Sequence, residues 1–327
     1  MKMHFKSLVC LAVLSTPVFA AQHPDPLPSW NDGATKSAIV EFVETVTTKG
    51  SDNYVPAEER IAVFDNDGTL WGEKPMYFQL FFTLDRIKEL APKHPEWKTE
   101  EPFASVLNGD IKAALSHGEE GLLKMVMATH AGMNSVEFED MVQAWVKNAK
   151  HPVTKKPLTE MIYQPMLEVL DFLRDNDFKT YIVSGGGADF MRPWTEEVYG
   201  ISPEYVIGSE IETEFAYTSN GIEIQRLPNV AHINDKAGKV IGIHKRLGRQ
   251  PIAAFGNSDG DLQMMQWTTQ QEGVTFGLYV HHTDEGREWK YDRNSSVGRL
   301  DKGLDEAKKE GWTIADMKND WKVIYPN

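Results

Sequence analysis

Three short apolar segments constrain the fold of this chain more than any other feature. Ile61–Phe64, Thr180–Val183 and Pro251–Phe255 each end abruptly in polar or glycine residues. Apolar runs of this length are typical of strands that are buried on both faces of a parallel sheet. Helical patterns lie between them, notably at 161–174 and 236–247. The alternation predicts an α/β fold with a doubly wound, Rossmann-like parallel sheet.

The segment 75–156 has helical patterns, at 77–90, 103–115 and 136–149, but no convincing strand. We therefore predict an α-helical cap over 75–156, inserted into a discontinuous α/β core domain of residues 21–74 and 157–327. Because the insertion follows the first strand's loop, the cap should stand over the carboxyl ends of the strands, where open α/β sheets bind ligands.

Weaker strand signals follow later in the chain. Residues 205–207 and 274–280 are further candidates for the same sheet, and 210–216 with 221–226 resemble the two arms of a hairpin. We expect this hairpin to have a peripheral role.

Residues 1–20 have the pattern of a secretory signal peptide, which predicts a periplasmic or secreted protein without a membrane anchor after cleavage. Lys2 and Lys6 precede an apolar run, and Ala20 ends a small-residue exit. The formal net charge is −14, and loss of both lysines would make the mature chain more negative still. Such a charge disfavours nucleic acid as a partner. A small phosphorylated metabolite remains compatible, since a metal and local donors can reverse the potential in one pocket.

Two carboxylates stand two residues apart directly after the first strand, in the segment Asp65-Asn-Asp-Gly-Thr69. One can attack a phosphorus atom and the other, Asp67, can transfer a proton. A carboxylate attacks a phosphate dianion poorly unless a cation screens their repulsion, which indicates a divalent metal. Mg²⁺ fits because it prefers oxygen ligands and needs few protein carboxylates. Taken alone, the segment is equally compatible with a simple turn.

Two further polar segments end the other predicted strands. Ser184-Gly-Gly-Gly187 opens a helix and could approach an anion, although alone it is more typical of a flexible turn. Gly256-Asn-Ser-Asp-Gly-Asp261 adds oxygen ligands at the same sheet edge. Lys236 could neutralise the nucleophile and the phosphate, and Lys239, nearly one helical turn later, could do the same.

Together these elements resemble the haloacid dehalogenase superfamily over about residues 61–265, most closely its phosphoserine phosphatase-type members. The resemblance implies an Asp65 nucleophile and an Asp67 general acid and base. It implies phosphate contacts from Thr69, Ser184, Gly185 and Lys236, and Mg²⁺ ligands among Asp65, Asp67, Asn257 and Asp261.

One position departs from the family pattern, because Asn257 stands where an Asp is usual. An Asn oxygen brings no negative charge, so metal affinity should fall unless Asp259 takes over as the ligand. Trp71, Glu73, Lys74 and Tyr77 could line the pocket, but Glu73 does not match the spacing of the glutamate in phosphoserine phosphatases.

The leading hypothesis is a Mg²⁺-dependent phosphomonoesterase that acts through an aspartyl-phosphate on Asp65. The alternatives are a phosphotransferase with an alcohol acceptor and a catalytically weakened phosphometabolite-binding protein.

Overall fold

A computed structural model describes residues 25–326. The strands are β1 (Ile61–Phe64), β2 (Lys179–Gly187), β3 (Val206–Thr218), β4 (Gly221–His232), β5 (Ala253–Gly256), β6 (Phe276–His281) and β7 (Thr313–Asp316). The helices are α1 (Ala34–Thr47), α2 (Phe78–Leu90), α3 (Phe103–Leu107), α4 (Ile111–Ser116), α5 (Gly118–His130), α6 (Ser135–Val146), α7 (Gln164–Asp175), α8 (Ala188–Tyr199), α9 (Ala237–Leu247), α10 (Leu262–Thr269), α11 (Lys302–Glu310) and α12 (Met317–Asp320).

The strands form one sheet in the order β4-β3-β2-β1-β5-β6-β7. Neighbouring strands from β3 to β7 in this order run parallel, and β4 joins β3 antiparallel. This arrangement confirms the predicted α/β class with a mostly parallel, doubly wound sheet. Both weaker strand candidates belong to it, as β3 and β6, whereas β7 was not predicted.

The central strand β1 is buried on both faces. Ala62 and Phe64 pack into one hydrophobic cluster, and Ile61 and Val63 pack into another on the opposite side. The ring of Phe64 stacks on Phe255 of the neighbouring β5, with 4.3 Å between ring centroids. Successive side chains of a strand point to opposite faces, so a strand covered on both sides needs an uninterrupted apolar run.

Helices α2 to α6 lie between residues 75 and 156. Part of this segment has an apolar cluster of its own, built from Leu80, Leu84, Ile87, Trp97, Phe103, Val106, Ala114 and Met125. The expected helix over 103–115 is instead divided into α3 and α4. Gly109 between them has φ +79°, and Asp110 caps α4 by accepting a hydrogen bond from the backbone N–H of Ala113 at 2.9 Å.

The hairpin of β3 and β4 lies at one edge of the sheet, where β4 is the last strand, and packs against the helices of residues 75–156. The backbone N–H of Arg226 donates to the carbonyl of Met133 at 3.0 Å, and the N–H of Gly132 donates to the carbonyl of Arg226 at 2.9 Å. These two bonds join the hairpin to the loop between α5 and α6.

The predicted signal peptide lies outside the described residues and stays a prediction. Within residues 25–326, no helix combines the length and apolar character that a membrane span requires.

Candidate active site

Asp65 lies at the carboxyl end of β1, where the parallel strands bring several polar segments together. Its side chain is buried, and its Oδ1 accepts a hydrogen bond from Nζ of Lys239 at 2.7 Å. The same Nζ donates to Oδ1 of Asp261 at 2.5 Å. Burial, followed by the charge of Asp261, raises the pKa of Asp65 to about 8, although Lys239 opposes the shift. One lysine therefore donates hydrogen bonds to two buried carboxylates.

Lys239, and not Lys236, is the lysine that contacts the nucleophile loop. Lys239 is 2% exposed, whereas the Lys236 side chain is 68% exposed and its Nζ lies 3.8 Å from Asp235. Lys236 precedes the first residue of α9 with φ +52°, and Lys239 lies within the first turn of that helix, which faces the sheet. Burial opposes the charge of Lys239, but Asp261 and Asp65 outweigh it and raise the lysine's pKa. The charge-balancing assignment therefore moves from Lys236 to Lys239.

Asp67 faces the same cavity as Asp65 and is held by Trp71. The indole Nε1–H of Trp71 donates to Oδ1 of Asp67 at 3.0 Å. Burial raises the pKa of Asp67, and the bond from Trp71 opposes the shift. A carboxyl group with a raised pKa beside a buried carboxylate is suited to proton transfer.

The three glycines 185–187, called the glycine turn, are the last residues of β2, where its pairing with β3 is irregular, and they form another side of the site. Ser184 is buried, and its Oγ accepts a hydrogen bond from the N–H of Gly186 at 3.0 Å. Gly185, Gly186 and Gly187 line the cavity. A Cβ at Gly186 would lie 3.1 Å from Oε1 of Gln79 and 3.8 Å from Oδ2 of Asp67, so a side chain there would crowd the space beside the carboxylate.

Asn257 is buried and bonded to Glu73, a residue 184 positions away in the chain. The Asn257 Nδ2 donates to Oε1 of Glu73 at 2.7 Å, and the Tyr291 hydroxyl donates to the same oxygen at 2.7 Å. Burial raises the pKa of Glu73 well above its usual range. Gly68 passes between these groups with φ +77°, and a Cβ there would lie 2.0 Å from Asn257 Nδ2. Glu73 thus places a carboxylate next to the Asn that departs from the family pattern.

Three other predicted residues lie in different surroundings from those expected. Both carboxylate oxygens of Asp261 accept hydrogen bonds, Oδ1 from Lys239 and Oδ2 from the N–H groups of Asn257 and Ser258 at 3.0 Å each. Oδ1 of Asp259 accepts from the N–H groups of residues 301 and 303, near the start of α11. Thr69 is buried and donates to Oδ1 of Asn257 at 3.3 Å. In this structure Asp261 and Thr69 therefore bond to neighbouring side chains and loop backbone, and their predicted roles as metal ligand and phosphate contact stay predictions.

A cavity of about 660 Å³ opens above Asp65 and Asp67. Its walls come from α2, α4 and α5, the glycine turn, the hairpin and the loop containing Ser258, and Glu73 and Tyr77 also face it. The volume is in the range of small-molecule sites. The two aspartates therefore face a space large enough for an organic phosphate.

Sequence reasoning missed the residues that join α2, α5, the glycine turn and the hairpin at this cavity. Oε1 of Gln79 accepts from the N–H of Gly187 at 2.8 Å, and its Nε2 lies 3.2 Å from Nε2 of His130. Nε of Arg226 donates to the carbonyl of His130 at 2.8 Å, and its Nη1 pairs with Asp189. Burial, followed by the charge of Arg226, lowers the pKa of His130 to about 3, so the imidazole is neutral. No local motif identifies these residues.

The donor set fits a magnesium ion that keeps water or substrate oxygens as further ligands. In the part of the chain from 25 to 326, no group of three or more His, Cys, Asp or Glu side chains is arranged to hold a metal. Asp65 and Asn257 nevertheless offer one carboxylate and one amide oxygen, and Mg²⁺ commonly uses only one or two protein carboxylates. Asp65 and Glu73 are buried and Asp67 is half-buried, and together they carry more acidic groups than Lys239 can balance. A divalent cation would offset this excess.

The fold and the site place this chain among α/β proteins that carry paired aspartates at the carboxyl edge of a parallel sheet. Residues 62–266, more than half of the chain, match the haloacid dehalogenase-like hydrolase family. The chain therefore belongs to this hydrolase family, which confirms the resemblance seen in the sequence.

Three solved structures of low sequence identity are similar to this chain. A protein of unknown function from Anaerococcus prevotii DSM 20548 is 16% identical, with 89% of this chain and 94% of that chain covered and a TM-score of 0.57. A protein of unknown function from Bordetella pertussis Tohama I is 16% identical, with coverages of 79% and 99% and a TM-score of 0.48. A phosphoserine phosphohydrolase-like protein from Francisella tularensis subsp. tularensis SCHU S4 is 15% identical, with coverages of 69% and 89% and a TM-score of 0.39. The Anaerococcus prevotii structure supports the fold alone. A comparison with curated proteins found no match.

Proposed function

We propose that this protein is a Mg²⁺-dependent phosphomonoesterase that forms an aspartyl-phosphate on Asp65. The observation that carries the proposal is the placement of Asp65 and Asp67 together at the floor of the cavity, with Lys239 bonded to Asp65. The glycine turn at 185–187 lines the same space. These groups supply a nucleophile, a proton donor, charge balance and room for phosphate oxygens.

Asp65 and Asn257 are the side chains that would hold the ion, because they offer one carboxylate and one amide oxygen. When bound, Mg²⁺ would screen the repulsion between the Asp65 carboxylate and the phosphate dianion. Glu73 would hold the Asn257 amide by accepting from its Nδ2, so that Oδ1, which accepts from Thr69 at 3.3 Å, is the Asn257 atom that would bind a cation with its second lone pair.

The hydrolysis proceeds in two displacements. A carboxylate oxygen of Asp65 bonds to phosphorus while the ester P–O bond breaks, and the carboxyl proton of Asp67 passes to the leaving alkoxide. Asp67, now a carboxylate, accepts a proton from a water molecule whose oxygen attacks the same phosphorus. The bond to Asp65 breaks, inorganic phosphate leaves, and both aspartates return to their starting states. Lys239 holds Asp65 in place throughout.

We further propose that residues 75–156 act as the cap of this site. The contacts of Gln79 with the glycine turn, and of the hairpin with residues 132 and 133, support this role because they join the segment to the cavity walls. We also propose that residues 1–20 act as a signal peptide and that the protein is exported.

Phosphoenzyme trapping tests the proposed function. The purified protein should hydrolyse p-nitrophenyl phosphate with Mg²⁺, lose this activity in excess EDTA and regain it when Mg²⁺ is restored. Asp65→Asn should abolish both turnover and acid-stable labelling by a ³²P-labelled phosphate ester. Lys236→Ala, which changes a neighbouring exposed charge, is the matched control and should label normally. Labelling of Asp65→Asn, or full activity in EDTA, would contradict the mechanism.

A further inference from the structure

Several large apolar side chains remain exposed at the cavity above Asp65. Leu122 and Leu123 of α5 are each 39% exposed, Leu115 of α4 is 37% exposed, and Ile233 after β4 is 52% exposed. All four line the cavity. Exposed apolar groups that share one concave surface indicate a ligand site, because covering them removes apolar area from water.

Other apolar side chains that line the same cavity are buried or half-buried. Leu80 of α2 and Val126 and Met127 of α5 line its cap side, and Val230 of β4 lines the hairpin side. A ligand with its phosphoryl group at Asp65 would therefore have apolar side chains along its organic part.

The cations that line this cavity already have carboxylate partners. Arg226 pairs with Asp189, and Lys239 pairs with Asp65 and Asp261. Glu119 also lines the cavity, as does Glu210, which pairs with Arg246; Asp189 pairs with Arg192 as well as with Arg226. Within residues 25–326, neither lining cation is left to pair with a carboxylate or a second phosphate of a ligand, and burying an unpaired anion here would be costly.

We propose that the substrate is a phosphate monoester of an apolar alcohol that carries no second anionic group. The inference rests on the proposed phosphatase function and deepens it by naming the substrate class. Leu122 and Leu123 contact the organic group, and the ion pair of Arg226 with Asp189 disfavours phosphoserine-like and bisphosphate substrates.

A homologous series of ethyl, butyl and hexyl phosphate tests the inference in the full mature protein with Mg²⁺. Each methylene buried in the cavity should raise kcat/KM by about three- to fourfold, since burying one contributes about 0.8 kcal/mol and about 1.4 kcal/mol is tenfold. Phosphoserine should be a poorer substrate than butyl phosphate. Hexylphosphonate, which cannot be hydrolysed at its C–P bond, should raise the thermal unfolding midpoint more than ethylphosphonate does.

The double variant Leu122→Ser with Leu123→Ser should flatten both the kcat/KM series and the phosphonate series. Val136→Ser is the matched control, because Val136 is 66% exposed on α6 and lies outside the cavity lining, and it should keep the wild-type slope. Two results would overturn this inference but not the proposed function. One is a wild type that hydrolyses p-nitrophenyl phosphate with no change of kcat/KM along the alkyl series, and the other is a preference for phosphoserine over hexyl phosphate. Failure to hydrolyse p-nitrophenyl phosphate at all would overturn the proposed function first.

Discussion

Replacing Asn257 with aspartate would restore the usual family residue, yet the structure predicts that this change destabilises the protein. Nδ2 of Asn257 donates to Oε1 of Glu73 at 2.7 Å, and both residues are buried. A carboxylate in place of the amide would remove this donor and leave two acidic groups in contact. From sequence alone, the substitution would be expected only to improve magnesium binding.

The size of the effect follows from the contact distance. Two full charges about 3 Å apart repel by about 5 kcal/mol at an effective dielectric constant of about 20. Keeping one carboxyl group protonated at about pH 7 costs about 4 kcal/mol relative to an ordinary Asp pKa, so proton uptake limits the penalty. We therefore expect Asn257→Asp to lower the free energy of unfolding by between about 2 and 4 kcal/mol.

A double-mutant cycle isolates this contact. In the Glu73→Gln background the new side-chain amide can donate to the carboxylate introduced at position 257, so the second substitution should cost less than about 1 kcal/mol. The coupling energy between positions 73 and 257 should then exceed about 1 kcal/mol, which is large for a single pair. Urea unfolding in EDTA measures it without interference from a bound ion.

Calorimetric titration with Mg²⁺ provides a second readout that does not depend on turnover. The double variant, which exchanges the carboxylate and the amide between the two positions, should bind Mg²⁺ more tightly than Glu73→Gln alone. Additive stability effects, or an Asn257→Asp variant as stable as the wild type in EDTA, would refute the reasoning, because neither outcome is compatible with a direct buried contact between Glu73 and Asn257.

The remaining predictions concern charge and proton transfer around the same cavity. Lys239→Ala should lower the free energy of unfolding by about 3–5 kcal/mol, because it leaves two buried carboxylates without their partner. Lys236→Ala should change it by less than about 0.5 kcal/mol. Equal effects of the two substitutions in urea unfolding would contradict the assignment of Lys239 as the charge-balancing lysine. Asp67→Asn should slow hydrolysis of alkyl phosphates by about a hundredfold to ten-thousandfold and of p-nitrophenyl phosphate much less, and equal losses in steady-state assays would exclude its role as the acid. His130 has its pKa lowered from 6.5 to about 3, so it contributes stability above pH 6.5 that is lost as the pH falls towards 3. This group should add about 1.4 kcal/mol per pH unit to the slope of stability in that window, and the slope should be absent in His130→Gln.

Much of the core was predictable from local sequence. The apolar runs at β1, β2 and β5 predicted buried parallel strands because a strand covered on both faces needs an apolar residue at every position. The hairpin arms were recognised too, but their position against the cap was not. Short apolar or alternating runs carry information about secondary structure, whereas the neighbour of a strand depends on contacts distant in sequence.

The sequence by itself determined the α/β class and the placement of Asp65, Asp67 and the glycine turn at one edge of the sheet. These follow from local patterns, because residues that end parallel strands must meet at the same edge. Only the tertiary structure decided that Lys239 rather than Lys236 contacts Asp65, and that Glu73 contacts Asn257. The first choice depends on which side of α9 faces the sheet, and the second joins segments 184 residues apart. Neither contact can be predicted from the spacing of residues along the chain, since each forms only when the strands, the helices of 75–156 and the following loops pack together.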